Sequence, residues 1–147
     1  MLPDKIGQIG IVVKDVAAAA KFLHDQLGIG PFAIIPLDHC MARYQGEDLS
    51  YRLKVGLANR GGVSIELCEV VSGHPILCDY LPPSGQGVHH IGFYVRDLDA
   101  AIAVWTSRGG EVLQRGSFLP GGGTAYLSTP EHAGMLVELI QMPKGRE

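Results

Sequence analysis

The chain contains the same segment twice, and this duplication limits its architecture before any single element is assigned. Residues 8–28 (QIGIVVKDVAAAAKFLHDQLG) align without a gap on residues 90–110 (HIGFYVRDLDAAIAVWTSRGG), 82 positions later. Ile9/Ile91, Gly10/Gly92, Val13/Val95, Asp15/Asp97, Ala18/Ala100, Ala19/Ala101 and Gly28/Gly110 are identical, and Lys14/Arg96 is conservative. A second match closes each copy: GGVSIEL, ending at Leu67, against AGMLVEL, ending at Leu139, an offset of 72 with Gly62/Gly134, Glu66/Glu138 and Leu67/Leu139 in common. The first copy therefore carries about ten extra residues in its middle. Two copies at so long a period exclude a solenoid and indicate a duplicated module. Residues 5–72 form the first module, 73–87 a linker and 88–142 the second, together one domain over residues 1–147.

A chain of 147 residues with 46% apolar and 18% charged residues suits one ordinary hydrophobic core and excludes disorder. The net charge is −3 with both signs interspersed, so no basic footprint for nucleic acid or an acidic membrane is expected. Cys40, Cys68 and Cys78 are odd in number and follow no metal-binding spacing, as expected of reduced thiols in core or loop positions. No apolar run approaches the roughly 18 residues needed to span a bilayer, and MLPDKIGQ has no signal-peptide pattern. The expectation is a cytoplasmic protein that acts on a small molecule.

Each copy opens with a short strand, IGIVV or IGFYV, rich in β-branched and aromatic residues. Asp15 or Asp97 then stands where a helix N-cap belongs, before an Ala-rich run that stops at Gly28 or Gly110. In the second helix Leu98, Ile102 and Trp105 make an apolar stripe. Strands are expected at 31–37, 49–57 and 63–70 in the first copy, and at 111–118, 124–128 and 136–141 in the second. Asn59-Arg60-Gly61-Gly62 reads as a hairpin turn and Pro120-Gly121-Gly122-Gly123 as a loop, with a short helix at 76–81 inside the linker. The order is β-α-β-β-β, twice.

Strand alternation assigns the faces. Ile9, Ile11 and Val13 take one side, and Gln8, Gly10 and Val12 the other. In the second copy Ile91, Phe93 and Val95 oppose His90, Gly92 and Tyr94. The wholly apolar set packs on the helix, whereas glycines beside a polar residue make a floor that something approaches closely. Glu66 shares its face with Ser64 and Cys68, opposite Ile65 and Leu67; Glu138 lies opposite Val137 and Leu139. One glutamate in an apolar strand is ordinarily salt-bridged or at an edge, since an unpaired buried carboxylate is costly. Two at equivalent repeat positions, joined by Gln8 and His90 at another equivalent pair, give four ligand-capable side chains converging on the helix-free face. Three oxygens and an imidazole suit a hard or borderline dication, Mn²⁺, Co²⁺, Ni²⁺, Mg²⁺ or Zn²⁺, with positions left for substrate oxygens.

His89 needs separating from its neighbour: alternation places it with Ile91 and Phe93, on the helix side or at the strand's beginning, so His90 is the expected ligand. His24, His39, His74 and His132 fall in helix or loop stretches and are expected at the surface. Met41, Tyr44, Tyr51, Tyr94 and Phe118 are candidates to line an apolar cavity.

The repeated module, the His-Ile-Gly start of the second half and the apolar-Glu-Leu end of each half resemble the vicinal oxygen chelate superfamily. That superfamily includes glyoxalases, methylmalonyl-CoA epimerases, extradiol ring-cleavage dioxygenases and drug-resistance binding proteins. The likeness covers nearly the whole chain. It implies an α+β fold whose two modules form a curved, partly open barrel around a metal, with helices outside, and a homodimer. Within it, HPILCDYLPPSGQGVHHIGF and TPEHAGMLVELIQ are most similar to the methylmalonyl-CoA epimerases. Carried over by position, the resemblance puts metal ligands at Gln8, Glu66, His90 and Glu138. The first is His in the epimerases; Gln, Glu, His, Glu is the set of some glyoxalases.

Two chemistries follow from the resemblance. In an epimerase or isomerase, the metal chelates two oxygens of an acyl or acyl-CoA thioester substrate and a carboxylate removes and returns the proton between them through an enolate. Glu138 would be one base and Glu47, with Asp48 beside it, the other. In a glyoxalase-type lyase, Glu66 and Glu138 shuttle a proton within a hemithioacetal. A ring-cleavage dioxygenase needs two His and one carboxylate, and only one His is present. A non-catalytic small-molecule-binding or resistance protein is the remaining alternative, and would need no ligands.

Overall fold

The computed structural model describes residues 2–146. The element order is β1 (Gln8–Val12), α1 (Val16–Leu27), β2 (Ala33–Tyr44), β3 (Glu47–Arg60), β4 (Val63–Ser72), a 3-10 turn at Ile76–Cys78, β5 (Gly87–Tyr94), α2 (Leu98–Ser107), β6 (Val112–Ser117), β7 (Gly123–Leu127), α3 (Pro130–Ala133) and β8 (Leu136–Gln141). The eight strands form one closed barrel in the order β1-β4-β3-β2-β6-β7-β8-β5. The α+β class is as expected, and the sheet goes further than the partly open barrel anticipated. Pairing of Met41–Tyr44 with Gln114–Ser117 joins β2 to β6 and seals it.

In each half the helix that follows the first strand is set by its cap. Asp15 Oδ1 accepts from the Ala18 N–H at 3.0 Å, and Asp97 Oδ1 from Ala100 at 2.9 Å. Gly28 ends α1 in the left-handed region at φ 67°. The matching stop in α2 is one residue earlier than expected, with Gly109 at φ 85°. Gly110 instead lies against the Trp105 indole, where a Cβ would come within 2.0 Å of the ring. The helices cover the outside of the barrel: Val16 and Ala20 pack on Leu67, and Leu98, Ile102 and Trp105 pack on Val137 and Leu139.

The extra residues of the first copy lengthen one hairpin. Strands β2 and β3 have 12 and 14 residues, against 6 and 5 in β6 and β7. A two-residue turn with Gln45 at φ 53° and Gly46 at φ 78° closes it, as the primed hairpin turns require. The expected turn at Gly61-Gly62 is present, held by Asn59 Oδ1 accepting from the Gly62 N–H at 3.1 Å. The segment between the halves is no slack tether. Ile76 and Leu77 are buried in the barrel's clusters, and the Ile76 N–H donates to buried Gln114 Oε1 at 2.8 Å. No helix among the described residues is long and apolar enough to cross a membrane.

Candidate metal centre

The site is built from two cross-strand rows, each with a glycine in the middle. Strands β4, β1, β5 and β8 lie side by side. Across the first three runs Glu66–Gly10–His90, and across the last three runs Gln8–Gly92–Glu138. Neighbouring strands lie about 4.8 Å apart, so the outer residues of a row meet only by reaching over the central one. Glycine is what permits this. A Cβ on Gly10 would stand 2.0 Å from His90 Cε1, and one on Gly92 would stand 2.9 Å from Ile140 and 3.1 Å from Gln8. The duplication has thus placed a small residue between two donors in each row.

The four side chains converge inside the barrel. His90 Nε2 lies 3.0 Å from Glu138 Oε2, 3.1 Å from Gln8 Oε1 and 3.7 Å from Glu66 Oε1. Gln8 Nε2 donates to Glu66 Oε2 at 3.3 Å, and the Cys68 thiol donates to Glu66 Oε1 at 2.9 Å. Gln8, His90 and Glu138 are buried.

Burial pushes the Glu66 carboxyl above the usual carboxylate range, and the nearby Glu138 adds to this while His90 opposes it. Burial alone would lower His90, but the Glu138 charge and hydrogen bond, with Glu66 behind them, raise it overall. Two carboxyl groups and one imidazole thus meet inside the barrel, a grouping found at sites that move protons or hold cations.

Above this floor opens a cavity of about 320 Å³, walled by Ile35, Leu37, Leu53, Val55, Phe118 and Ile140 among others. Of the expected cavity residues, Tyr51, Tyr94 and Phe118 line it. Met41 and Tyr44 do not. A register slip between Leu37 and Cys40 turns Met41 outward, where it is 61% exposed, and Tyr44 donates to Asp79 Oδ2 at 2.6 Å. Glu47 and Asp48 are not brought to the site either: both are exposed at the tip of the long hairpin, with Asp48 paired to Arg43 at 3.1 Å. Glu66 and Glu138 are the carboxylates lining the cavity. His24, His39, His74 and His132 are exposed, as expected.

Three participants escaped the sequence reading. Cys68 bonds Glu66 from two residues away on the same face, a relation that alternation contained. Tyr126 sets its ring edge-on to His90, 5.3 Å between centroids. His89 is buried beside His90 rather than on the helix side, for a reason that alternation could not supply: β5 bulges there. A second cleft, of about 540 Å³, shares Tyr94, Met142 and Arg146 with the cavity and adds Arg96 and Lys144.

Residues 7–127 match the family model described as the Glyoxalase/Bleomycin resistance protein/Dioxygenase superfamily. The chain belongs to this superfamily. It is 26% identical over 144 residues to the uncharacterized protein YqjC of Bacillus subtilis (strain 168), which spans 97% of this chain and 94% of that protein. Among solved structures, a methylmalonyl-CoA epimerase variant of Streptomyces coelicolor, in complex with 2-nitronate-propionyl-CoA, superposes with a TM-score of 0.68 at 24% identity, covering 100% of this chain and 99% of that one. Methylmalonyl-CoA epimerase from Mycobacterium tuberculosis gives 0.64 at 20%, covering 98% and 95%. Identities this low establish a shared fold.

Members of the vicinal oxygen chelate superfamily typically use a divalent metal, and the donors here suit one in kind: three oxygens and an imidazole nitrogen. The gaps of 3.0, 3.1 and 3.7 Å around His90 Nε2 bring Glu138, Gln8 and Glu66 to it in one cluster. Counting only His, Cys, Asp and Glu, the described residues include no group of three placed to hold an ion. Glu66, His90 and Glu138 are of those types, so as they stand they are not spread around an ion; Gln8 would join them as the fourth donor.

Proposed function

We propose that this chain is a divalent-metal-dependent isomerase or lyase that moves a proton on the carbon beside a carbonyl group of a small acyl substrate, through an enolate. The observation that carries this is the meeting of Gln8, Glu66, His90 and Glu138 at the floor of an apolar cavity. These four residues would hold the ion (Co²⁺, Mn²⁺, Ni²⁺, Zn²⁺ or Mg²⁺). When bound, it supplies a Lewis acid for the substrate's oxygens. Glu138 is the base. Its contact runs through Oε2 to His90, whereas Glu66 is held on both oxygens, by Gln8 and by the Cys68 thiol. The apolar walls exclude water from the carbanionic intermediate.

Two substrates fit this chemistry. The likeness of residues 74–93 to methylmalonyl-CoA epimerases supports an acyl-CoA thioester. The position of Glu47 outside the cavity supports the second reading, a glyoxalase-type lyase, because Glu66 and Glu138 then carry the proton with no third carboxylate. Arg96, Lys144 and Arg146 in the adjoining cleft favour an anionic thiol carrier in either case.

Metal-loaded protein is to be assayed for deuterium uptake into methylmalonyl-CoA from D₂O and for turnover of the methylglyoxal–glutathione hemithioacetal. Activity in one assay chooses between the substrates. Glu138→Gln is expected to lower that turnover by roughly 10²-fold or more. Full turnover in that variant would remove Glu138 as the base, and inactivity in both assays would favour a binding protein.

A further inference from the structure

His89 breaks the alternation of its strand. Gly10 pairs with His90, but the next residue, Ile11, pairs with Val88, which leaves His89 as the extra residue of a β-bulge. Bulges re-aim side chains, and this one turns residues 89 and 90 into the same interior. The His89 ring is 2% exposed and stands edge-on to His90 and to Tyr126, with centroids 5.2 and 5.9 Å apart.

The hydrogen bonds around it determine which nitrogens carry protons. His89 Nε2 lies 2.9 Å from the Ile76 carbonyl oxygen. A carbonyl only accepts, so Nε2 carries a hydrogen. A buried imidazole kept neutral then has its lone pair on Nδ1. That Nδ1 is 3.0 Å from His90 Nδ1, so His90 must donate from Nδ1. The opposite nitrogen of His90, Nε2, faces oxygens of Gln8, Glu66 and Glu138; without an ion it donates to Glu138 Oε2, and a bound cation would take the place of that proton.

We infer that His89 is a positioning residue that fixes His90 as the Nδ1–H tautomer and so reserves the Nε2 lone pair for a divalent cation. The inference rests on His90 being a metal ligand. Ligating histidines are generally oriented by a carboxylate or carbonyl at the second nitrogen. Here a neutral imidazole takes that place, itself anchored to the 3-10 turn that plugs the barrel. The orientation of His90 is thereby tied to the segment joining the two halves.

The test is ¹⁵N NMR of the full chain loaded with Zn²⁺, together with Zn²⁺ affinity from chelator competition. The expected spectrum has a protonated Nδ1 on His90, a protonated Nε2 on His89, and a scalar coupling between the two Nδ1 atoms across their hydrogen bond. His89→Phe removes the acceptor and is expected to weaken Zn²⁺ binding roughly 10–100-fold. His89→Gln, whose amide oxygen can accept, is expected to recover part of it. A bare Nδ1 on His90 in the wild-type spectrum would overturn the inference even if neither variant folds. His90→Ala separates the two levels. If it leaves Zn²⁺ affinity unchanged, His90 is no ligand and the site itself is misassigned. If it abolishes binding while His89→Phe leaves affinity and tautomer unaltered, only the role of His89 is overturned.

Discussion

Gly10 and Gly92 matter for what they leave out. Each lies between two donors of its row, and the His90 ring occupies the space a Cβ on Gly10 would need. Gly10→Ala is therefore expected to displace a buried ring, with destabilisation of about 1–3 kcal/mol and loss of metal affinity together. A melting curve and a metal titration would check this, and unchanged affinity would contradict the packing described. His89 gives the residue scale its pH dependence. Burial, with the neighbouring His90 charge behind it, lowers it to about 4, whereas the unfolded chain titrates near 6.5. Between these values the unfolded state binds one more proton. Stability from this residue is thus complete above pH 6.5 and is lost as pH falls towards 4, by roughly 3 kcal/mol in all. Urea denaturation of the chelator-treated protein at pH 7 and pH 4.5 should show this component, and His89→Gln should lack it. Equal slopes in both proteins would contradict the assignment.

At the scale of elements, the helices and the faces of the ligand strands were legible because both rest on local chemistry. An Asp cap, an Ala-rich run and a left-handed glycine define α1, and period-two alternation placed Gln8, Glu66, His90 and Glu138 on the face away from the helices. Alternation failed where strands depart from it. The bulge at His89 and the slip between Leu37 and Cys40 depend on pairing partners that no local pattern encodes. The far half of the β2–β3 hairpin was hidden for a related reason. Apart from Met41 its outward residues are polar, with Arg43 bridging to Asp48 and Arg52 to Asp38 at 3.1 and 3.3 Å, so it reads as loop until β2 pairs with β3 and β6. The layering predicts a separation of effects. Asp97→Ala is expected to cost about 1 kcal/mol through loss of the α2 cap, measured by urea denaturation, while leaving metal affinity intact. A loss of affinity would mean that the helix layer shapes the site directly.

The whole molecule turns one duplication into two-fold pseudosymmetry about the Ile9–Ile91 pair, where β1 and β5 run antiparallel. The symmetry brings four donors to one point, and closure of the barrel surrounds them with an apolar wall that Tyr94, Met142 and Arg146 continue. The repeat disclosed the first of these, whereas closure depends on β2 meeting β6 over four residue pairs, which nothing in either copy announces. The basic cleft was equally hidden, since Arg96 and Lys144 lie far apart in sequence and the net charge of −3 masks them. The most direct test of the account is a calorimetric titration of chelator-treated protein with Co²⁺, beside the Glu66→Gln and Glu138→Gln variants. One ion per chain, with affinity sharply reduced in both variants, is the predicted result; no uptake, or uptake indifferent to both substitutions, would contradict it.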